Sequence, residues 1–295
     1  MDFRGLLGYP ITPTDDDGGL DLGSLQTLVA RGSGAGLSAV GVLGSSGGFA
    51  YLDRQERRDV VRAAVEAAGR TPVAAGISAP GLREVLQHAA DAERAGAAGL
   101  ILSPVSYQPL SDAEVLGLVT AVAARTSLPI CLYNNPRTTR YSFPLEVVAT
   151  LAALDAVVAF KDSAPSAEEF LTRYRALAAR LPEGFAHGMS GDLLIATAGI
   201  AADGWHSGPA ALLPEPYLAL RAATGSGNAA LIRGARSRLV PLLEVVARMP
   251  KGSVLHSLAR LTGIRSSHPR LPLLPLTAGQ EAELAAAVGR FNGAG

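Results

Sequence analysis

Ala156-Val157-Val158-Ala159-Phe160-Lys161 is the stretch on which the fold reading turns. Five apolar residues in a row are short for a helix and suit a buried strand, and the lysine marks its end. Working outward, the run at 129–133 has the same character, as do those at 6–11, 39–43, 72–76, 98–102, 185–189 and 200–205. Each is followed by a segment with apolar residues three or four apart, the helical spacing. Strand and helix thus alternate from the N-terminus to about residue 224, the pattern of parallel strands joined by helical crossovers. Eight such strands predict an α/β fold, a closed (β/α)8 TIM barrel rather than an open sheet.

Beyond Thr224-Gly225-Ser226-Gly227-Asn228 the strand signal stops, and helices are expected over 229–248, 252–261 and 278–288. The chain therefore divides into a barrel over 1–224 and a C-terminal helical appendage over 225–295. Leu271-Pro272-Leu273-Leu274-Pro275-Leu276 reads as a packing strap whose leucines need burial. Three helix starts carry a capping residue followed three positions later by an acid or amide: Ser111 with Glu114, Ser166 with Glu169, and Thr277 with Gln280.

Composition narrows the function classes. The 295 residues are 48% hydrophobic and 18% charged, with 26 basic and 26 acidic side chains, so the chain can bury a large core and carries no net charge. Neither nucleic acid nor an acidic surface is indicated as a partner. The one cysteine, Cys131, excludes an intramolecular disulfide and falls in an apolar strand, where a thiol packs as core. The N-terminal residues lack a signal peptide's basic and apolar segments, and no apolar run is long enough to span a bilayer, so a soluble cytoplasmic protein is expected.

A lysine ending a buried strand has two readings. Its stem can lie buried with the ammonium in water. Alternatively, burial can lower its pKa and leave a neutral amine able to attack a ketone and form a Schiff base. Catalytic groups of such barrels sit at the C-terminal strand ends. There the sequence places Gly44-Ser45-Ser46-Gly47-Gly48, Tyr107, Tyr133, Lys161, Ser190-Gly191-Asp192 and His206. The Gly-Ser loop offers backbone N–H donors and two hydroxyls to a small carboxylate or phosphate, or is a plain tight turn. Tyr133 could pass a proton to or from an intermediate on Lys161. Trp205 and His206, expected just after the last strand, would narrow the barrel mouth, with His206 a proton carrier, a substrate contact or a structural histidine. The five histidines show no metal-ligand spacing, which disfavours a metal-dependent aldolase.

Taken together, Pro10-Ile11-Thr12-Pro13, Gly44-Ser45-Ser46-Gly47, Tyr133-Asn134-Asn135-Pro136, Phe160-Lys161-Asp162-Ser163, Ser190-Gly191-Asp192 and Arg270-Leu271-Pro272-Leu273 make a sequence that resembles the dihydrodipicolinate synthase and N-acetylneuraminate lyase family over nearly its whole length. The resemblance implies a (β/α)8 barrel, usually a homotetramer, in which Lys161 forms an imine with pyruvate, Tyr133 shuttles the proton, and Ser45 and Ser46 hold the pyruvate carboxylate. It implies a metal-independent lyase or aldolase that needs no cofactor and takes small-molecule substrates, pyruvate with an aldehyde or a 2-keto acid.

Four departures fall at the substrate end. Gly48 stands where the family usually has an acid. Ser106 aligns with a tyrosine that often crosses the subunit interface, with Tyr107 one position late. Thr138 aligns with an arginine that grips the aldehyde partner's carboxylate, although Arg137 and Arg140 flank it. Trp205 and His206 replace small residues. Tyr107, Arg137 and His206 are therefore expected as substrate contacts beside Ser45 and Ser46. A 2-keto-3-deoxy sugar acid aldolase or dehydratase, a hydroxy-oxoglutarate aldolase, and a catalytically silent keto-acid-binding barrel remain alternatives.

Overall fold

The computed structural model describes residues 1–293. Eight parallel strands close into one barrel in chain order: β1 (Gly5–Gly8), β2 (Ala39–Val42), β3 (Val73–Gly76), β4 (Gly99–Leu102), β5 (Ile130–Asn134), β6 (Val157–Asp162), β7 (Ala186–Ser190) and β8 (Gly204–Ser207). The crossovers carry α1 (Leu22–Ala35), α2 (Arg54–Ala67), α3 (Leu82–Arg94), α4 (Asp112–Ala123), the one-turn α5 (Pro136–Thr139), α6 (Leu145–Ala152), α7 (Ala167–Ala178) and α8 (Asp192–Ala198). After β8 come α9 (Pro214–Ser226), α10 (Ala229–Arg248), α11 (Lys251–Leu261) and α12 (Ala278–Gly293). α10 packs on α8, α9 and α12 and so ties the C-terminal helices to the barrel. Helix α9 runs past the boundary expected at 224, because the left-handed residue that ends it is Gly227 (φ 67°).

Side chains alternate along each strand between two cores. Outward residues such as Val40, Leu100, Leu132, Phe160 and Trp205 join the helices in a continuous shell. Inward residues form a separate cluster in which small side chains, Ala39, Ala74, Ala159 and Ala186, leave room for Phe3, Tyr9 and Tyr133. Cys131 lies in this inner cluster, and burial pushes its thiol up to about 12, as befits an inert core group.

Two strand ends differ from the sequence reading by more than two residues. β1 stops at Gly8 and not at residue 11, since Pro10 has no N–H to give to a ladder. β8 begins at Gly204 and not at residue 200; α8 ends at Gly199 in the left-handed conformation (φ 68°), and the following residues are connection. Trp205 and His206 therefore lie within the strand, not beyond it.

Both halves of a capping box form at Ser111 and Glu114. The Thr277 hydroxyl accepts from Gln280 N (3.3 Å) while Thr277 N donates to Gln280 Oε1 (3.0 Å). Ser166 caps Glu169 N alone, at 3.1 Å. Asp53 and Glu56 make a further box at α2 that the sequence reading passed over, although Asp-x-x-Glu is the same signal. The 271–276 segment is a strap held in part as expected: Leu276 is buried in the core and Leu273 is half-buried, whereas Leu271 and Leu274 are 77% and 69% exposed. Polar ties add to this, with Arg270 paired to Glu56 and donating to Gly18 O, and Ser253 Oγ donating to Leu274 O. Among the described residues no helix is long and apolar enough to cross a membrane.

Candidate active site

Lys161 occupies an inward position of β6, in register with Tyr133 on β5 and Gly188 on β7. It is only 4% exposed. Its Nζ lies 3.9 Å from the centre of the Tyr133 ring and 3.6 Å from that of Tyr9. Burial lowers the pKa of the amine, against the pull of Tyr133, which raises it, and Lys251 adds to the lowering. For the Tyr133 phenol, burial acts upward but is outweighed by the charge of Lys161, then of Lys251, and by the hydroxyls of Ser45 and Ser163, so it too falls below its ordinary 10.0. Both groups thus release a proton more readily than their ordinary counterparts, which suits proton transfer at this site. Asn135 Nδ2 donates to the Tyr133 hydroxyl at 3.1 Å and fixes its position.

Behind the lysine, Asp162 points out of the barrel and is fully buried. Its Oδ1 accepts from Asn134 Nδ2 (2.8 Å), and its Oδ2 accepts from Arg173 Nε (2.8 Å) and lies 3.2 Å from His187 Nε2. Asn134 Oδ1 in turn accepts from Phe143 N at 3.2 Å. Burial works to raise the Asp162 carboxyl, but the His187 hydrogen bond and the Arg173 charge hold it below its ordinary value. This network locks the C-terminal ends of β5 and β6 together and ties them to the start of β7. Because adjacent strand residues face opposite ways, fixing Asp162 outward aims Lys161 inward.

The Gly-Ser loop enters the same end of the barrel. Leu43 has a left-handed backbone (φ 57°), and its carbonyl oxygen would lie 2.0 Å from a Cβ at position 76, so Gly76 is required for the loop's path. Thr12 Oγ1 donates to Gly47 O (2.8 Å) and clamps the loop to the segment after β1. Ser46 is buried, and a Cβ at Gly208 would come within 2.6 Å of its hydroxyl. Ser45 is half-buried and reaches the Tyr133 phenol. Gly48, where an acid is usual, takes the left-handed conformation (φ 61°).

His206 is brought to the lysine, though not as a rim residue: it faces into the barrel, is 2% exposed, and its Nδ1 pairs with the Tyr9 hydroxyl at 2.7 Å. Trp205 does not narrow the mouth. It faces outward and is buried, with Nε1 donating to Ile200 O (3.1 Å) and the Arg221 guanidinium 5.3 Å from its ring. Tyr107 is 91% exposed and takes no part in the pocket of its own chain. Arg137 stands exposed on α5, on the rim segment that also holds Asn135.

Three participants escaped the sequence reading. Tyr9 sat inside a run read as strand, where an aromatic looks like core. Asp162 was visible only as part of a motif. Lys251 is the other of the chain's two lysines, a count that alone could have singled it out. It lies in the first turn of α11, one turn before Leu255, whose Cδ1 would be 3.3 Å from a Cβ at Gly208. Residues four apart share a helix face, so Lys251 stands on the side of α11 turned to the barrel mouth, in keeping with its effect on Lys161 and Tyr133.

A closed parallel barrel with a buried lysine and a tyrosine in register at its C-terminal end defines a class of barrel enzyme. Residues 2–290 match the model of the dihydrodipicolinate synthetase family. The chain belongs to that family and is a lyase of it. It is 33% identical over 293 residues to a probable 5-dehydro-4-deoxyglucarate dehydratase of Streptomyces avermitilis, covering 95% of this chain and 85% of the relative. A 4-hydroxy-tetrahydrodipicolinate synthase of Acidiphilium cryptum is 30% identical over 290 residues, 97% of each chain. Among solved structures, a dihydrodipicolinate synthase of Agrobacterium tumefaciens superposes with a TM-score of 0.93 at 37% identity, covering 98% of both chains.

Proposed function

We infer that the enzyme forms a Schiff base between Lys161 and the ketone of pyruvate or a related 2-keto acid. The observation that carries this reading is the enclosure of the Lys161 amine, which burial turns toward its neutral form beside a phenol of lowered pKa. The neutral amine attacks C2, the carbinolamine loses water, and Tyr133 delivers and collects the protons. The protonated imine then draws electrons from C3, which loses a proton to give an enamine. The enamine attacks an aldehyde in the synthetic direction. In reverse, the same imine permits cleavage of a 2-keto acid or loss of a leaving group next to C3.

Ser45 and Ser46 line the position for the keto-acid carboxylate, with Arg137 and Lys251 available to a more distant anionic group. Tyr107, too exposed to act within its own chain, would reach a site only in an oligomer of the kind the family resemblance implies. Dehydration of a keto-sugar acid is the second reading. It is favoured by Thr138 in place of the synthases' arginine, and by the dehydratase name of the relative at 33% identity.

Incubation with pyruvate and borohydride, followed by mass spectrometry, tests the first step. With two lysines in the chain, the reduced adduct has few places to go. It is expected on Lys161; an adduct on Lys251, or none, overturns the reading. Comparing turnover of aspartate semialdehyde plus pyruvate with that of keto-sugar diacids separates synthase from dehydratase, and productive turnover of either disposes of a silent binding barrel.

A further inference from the structure

Lys161 has an unusual partner for a buried amine. The acid next to it in sequence, Asp162, faces the other way and pairs with Arg173 and His187. What the Lys161 nitrogen meets is two aromatic faces, Tyr133 on one side and Tyr9 on the other, with Tyr9 the nearer at 3.6 Å. Tyr9 is 2% exposed, and its hydroxyl is tied to His206 Nδ1 at 2.7 Å. The barrel is hollowed to accept this pair. A Cβ at Gly41 would lie 2.4 Å from the Tyr9 ring, and one at Gly188 would lie 2.3 Å from His206 Nε2. Gly188 is also the cross-strand neighbour of Lys161. Two glycines thus vacate the volume that Tyr9 and His206 fill.

We propose that Tyr9 is a catalytic residue of the Schiff-base step, its ring face stabilising the positive charge that Lys161 carries as ammonium and as protonated imine, with His206 the positioning residue that holds the ring in place. The proposal rests on the Schiff-base reading above. In that step the amine nitrogen bonds to C2, the C2–O bond breaks, the oxygen leaves as water with one proton taken up, and the nitrogen keeps one positive charge. A cation over a desolvated aromatic face gains more than it would in water, and here no carboxylate need be buried to balance it. The pair itself stays neutral. Burial drives the Tyr9 phenol well above 10.0 and drives His206 well below 6.5, with the Lys161 charge adding to the latter. Other ionisable groups acting on Lys161 are Tyr133 and Cys131 from β5, Asp192 from the start of α8, and Lys251 from α11. None of them is removed by changing Tyr9.

The test follows the Lys161 amine directly, by NMR titration of full-length protein carrying lysine labelled with carbon-13 at Cε. Two lysines give two signals, and Lys251→Arg assigns them. Tyr9→Phe keeps the ring face but gives up its tie to His206, so it should titrate between the parent and Tyr9→Leu, close to His206→Asn. Tyr9→Leu should titrate roughly one pH unit lower, and at a pH where the amine is neutral in both proteins should hold about tenfold less imine with pyruvate, as trapped by cyanoborohydride. A Tyr9→Leu titration matching the parent overturns the proposal, as does a Tyr9→Phe shift as large as that of Tyr9→Leu, which would assign the effect to the hydroxyl. His206→Asn and Gly188→Ala release or displace the ring without removing it, and serve also if Tyr9→Leu does not fold. Each should lower the titration by less than Tyr9→Leu, and no shift in either ends the positioning role of His206. If pyruvate is not trapped on the parent enzyme, the Schiff-base reading fails, whereas the lysine titration still reports on the aromatic wall.

Discussion

Tyr133 and Lys161 are direct cross-strand partners at the C-terminal ends of β5 and β6, and the lysine nitrogen rests 3.9 Å from the centre of the tyrosine ring. A one-residue slip of either strand would turn one of them out of the barrel. The shift in β5–β6 register between Ile130 and Cys131 therefore matters, because the pairing that follows it brings the phenol and amine to the same face.

Removing the phenol should slow proton transfer without disturbing the barrel. Tyr133→Phe is expected to lower kcat by about 10²–10⁴-fold while leaving the thermal midpoint near that of the parent. Steady-state rates and a melting curve check both halves. A variant with undiminished kcat would remove Tyr133 from the chemistry.

The pH profile should carry the mark of both lowered groups. Attack needs the neutral amine, so imine formation should rise with pH along a limb whose midpoint lies below the 10.5 of an ordinary lysine. Loss of the Tyr133 proton should close the profile from the alkaline side, with its midpoint below 10.0. Stopped-flow rates of imine formation across pH would show both limbs, and an acid limb at the ordinary lysine value contradicts the geometry.

Asp162 predicts an acid-sensitive fold. Its carboxyl pKa is lower folded than unfolded, so its contribution is fully present above the unfolded value of about 3.9 and is lost as pH falls through the folded value. Asp162→Ala leaves Arg173 and His187 without their partner and should cost about 3–5 kcal/mol. Denaturant unfolding near neutral pH measures the cost. The same experiment at falling pH should show the variant losing less stability than the parent.

Lys251 should report on the far end of the substrate. Lys251→Ala is expected to raise KM severalfold for keto acids with a second carboxylate, more at low salt than at high, while leaving pyruvate trapping on Lys161 intact. An unchanged KM for diacids at low ionic strength would take Lys251 out of substrate recognition.

Gly76 tests the loop. A side chain there meets the Leu43 carbonyl oxygen at 2.0 Å, a backbone atom that cannot swing aside. Gly76→Ala should cost about 1–3 kcal/mol and raise KM for the keto acid, because the strain is relieved by moving the Ser45-Ser46 loop. A melting curve and steady-state kinetics together check it, and a stable variant with parental KM would show that the loop does not depend on this contact.

The alternation of apolar runs with helical segments made the barrel legible, and Lys161 with Tyr133 stood out because polar groups rarely end such runs without a use. Tyr9 did not stand out. An aromatic in an apolar segment is ordinary, and its use appears only when β1 closes against β8 and sets its hydroxyl on His206. The same closure corrected His206 from a rim residue to an interior one: the apolar pattern favoured a strand at 200–205, while Gly204 and His206, with little hydrophobic signal, occupy the inner face of the real strand.

By itself, the sequence determined the order of strands and helices and the lysine on which the chemistry is proposed to run, because hydrophobic period is local and a charge at the end of a buried strand is visible in one dimension. Only the tertiary structure decided what surrounds that lysine: Tyr9 from the first strand's end, His206 from the last, Asp162 turned away to Arg173, and Lys251 standing over the mouth. Contacts between residues nearly two hundred positions apart depend on barrel closure and on which glycines leave room, and neither is written in the spacing along the chain.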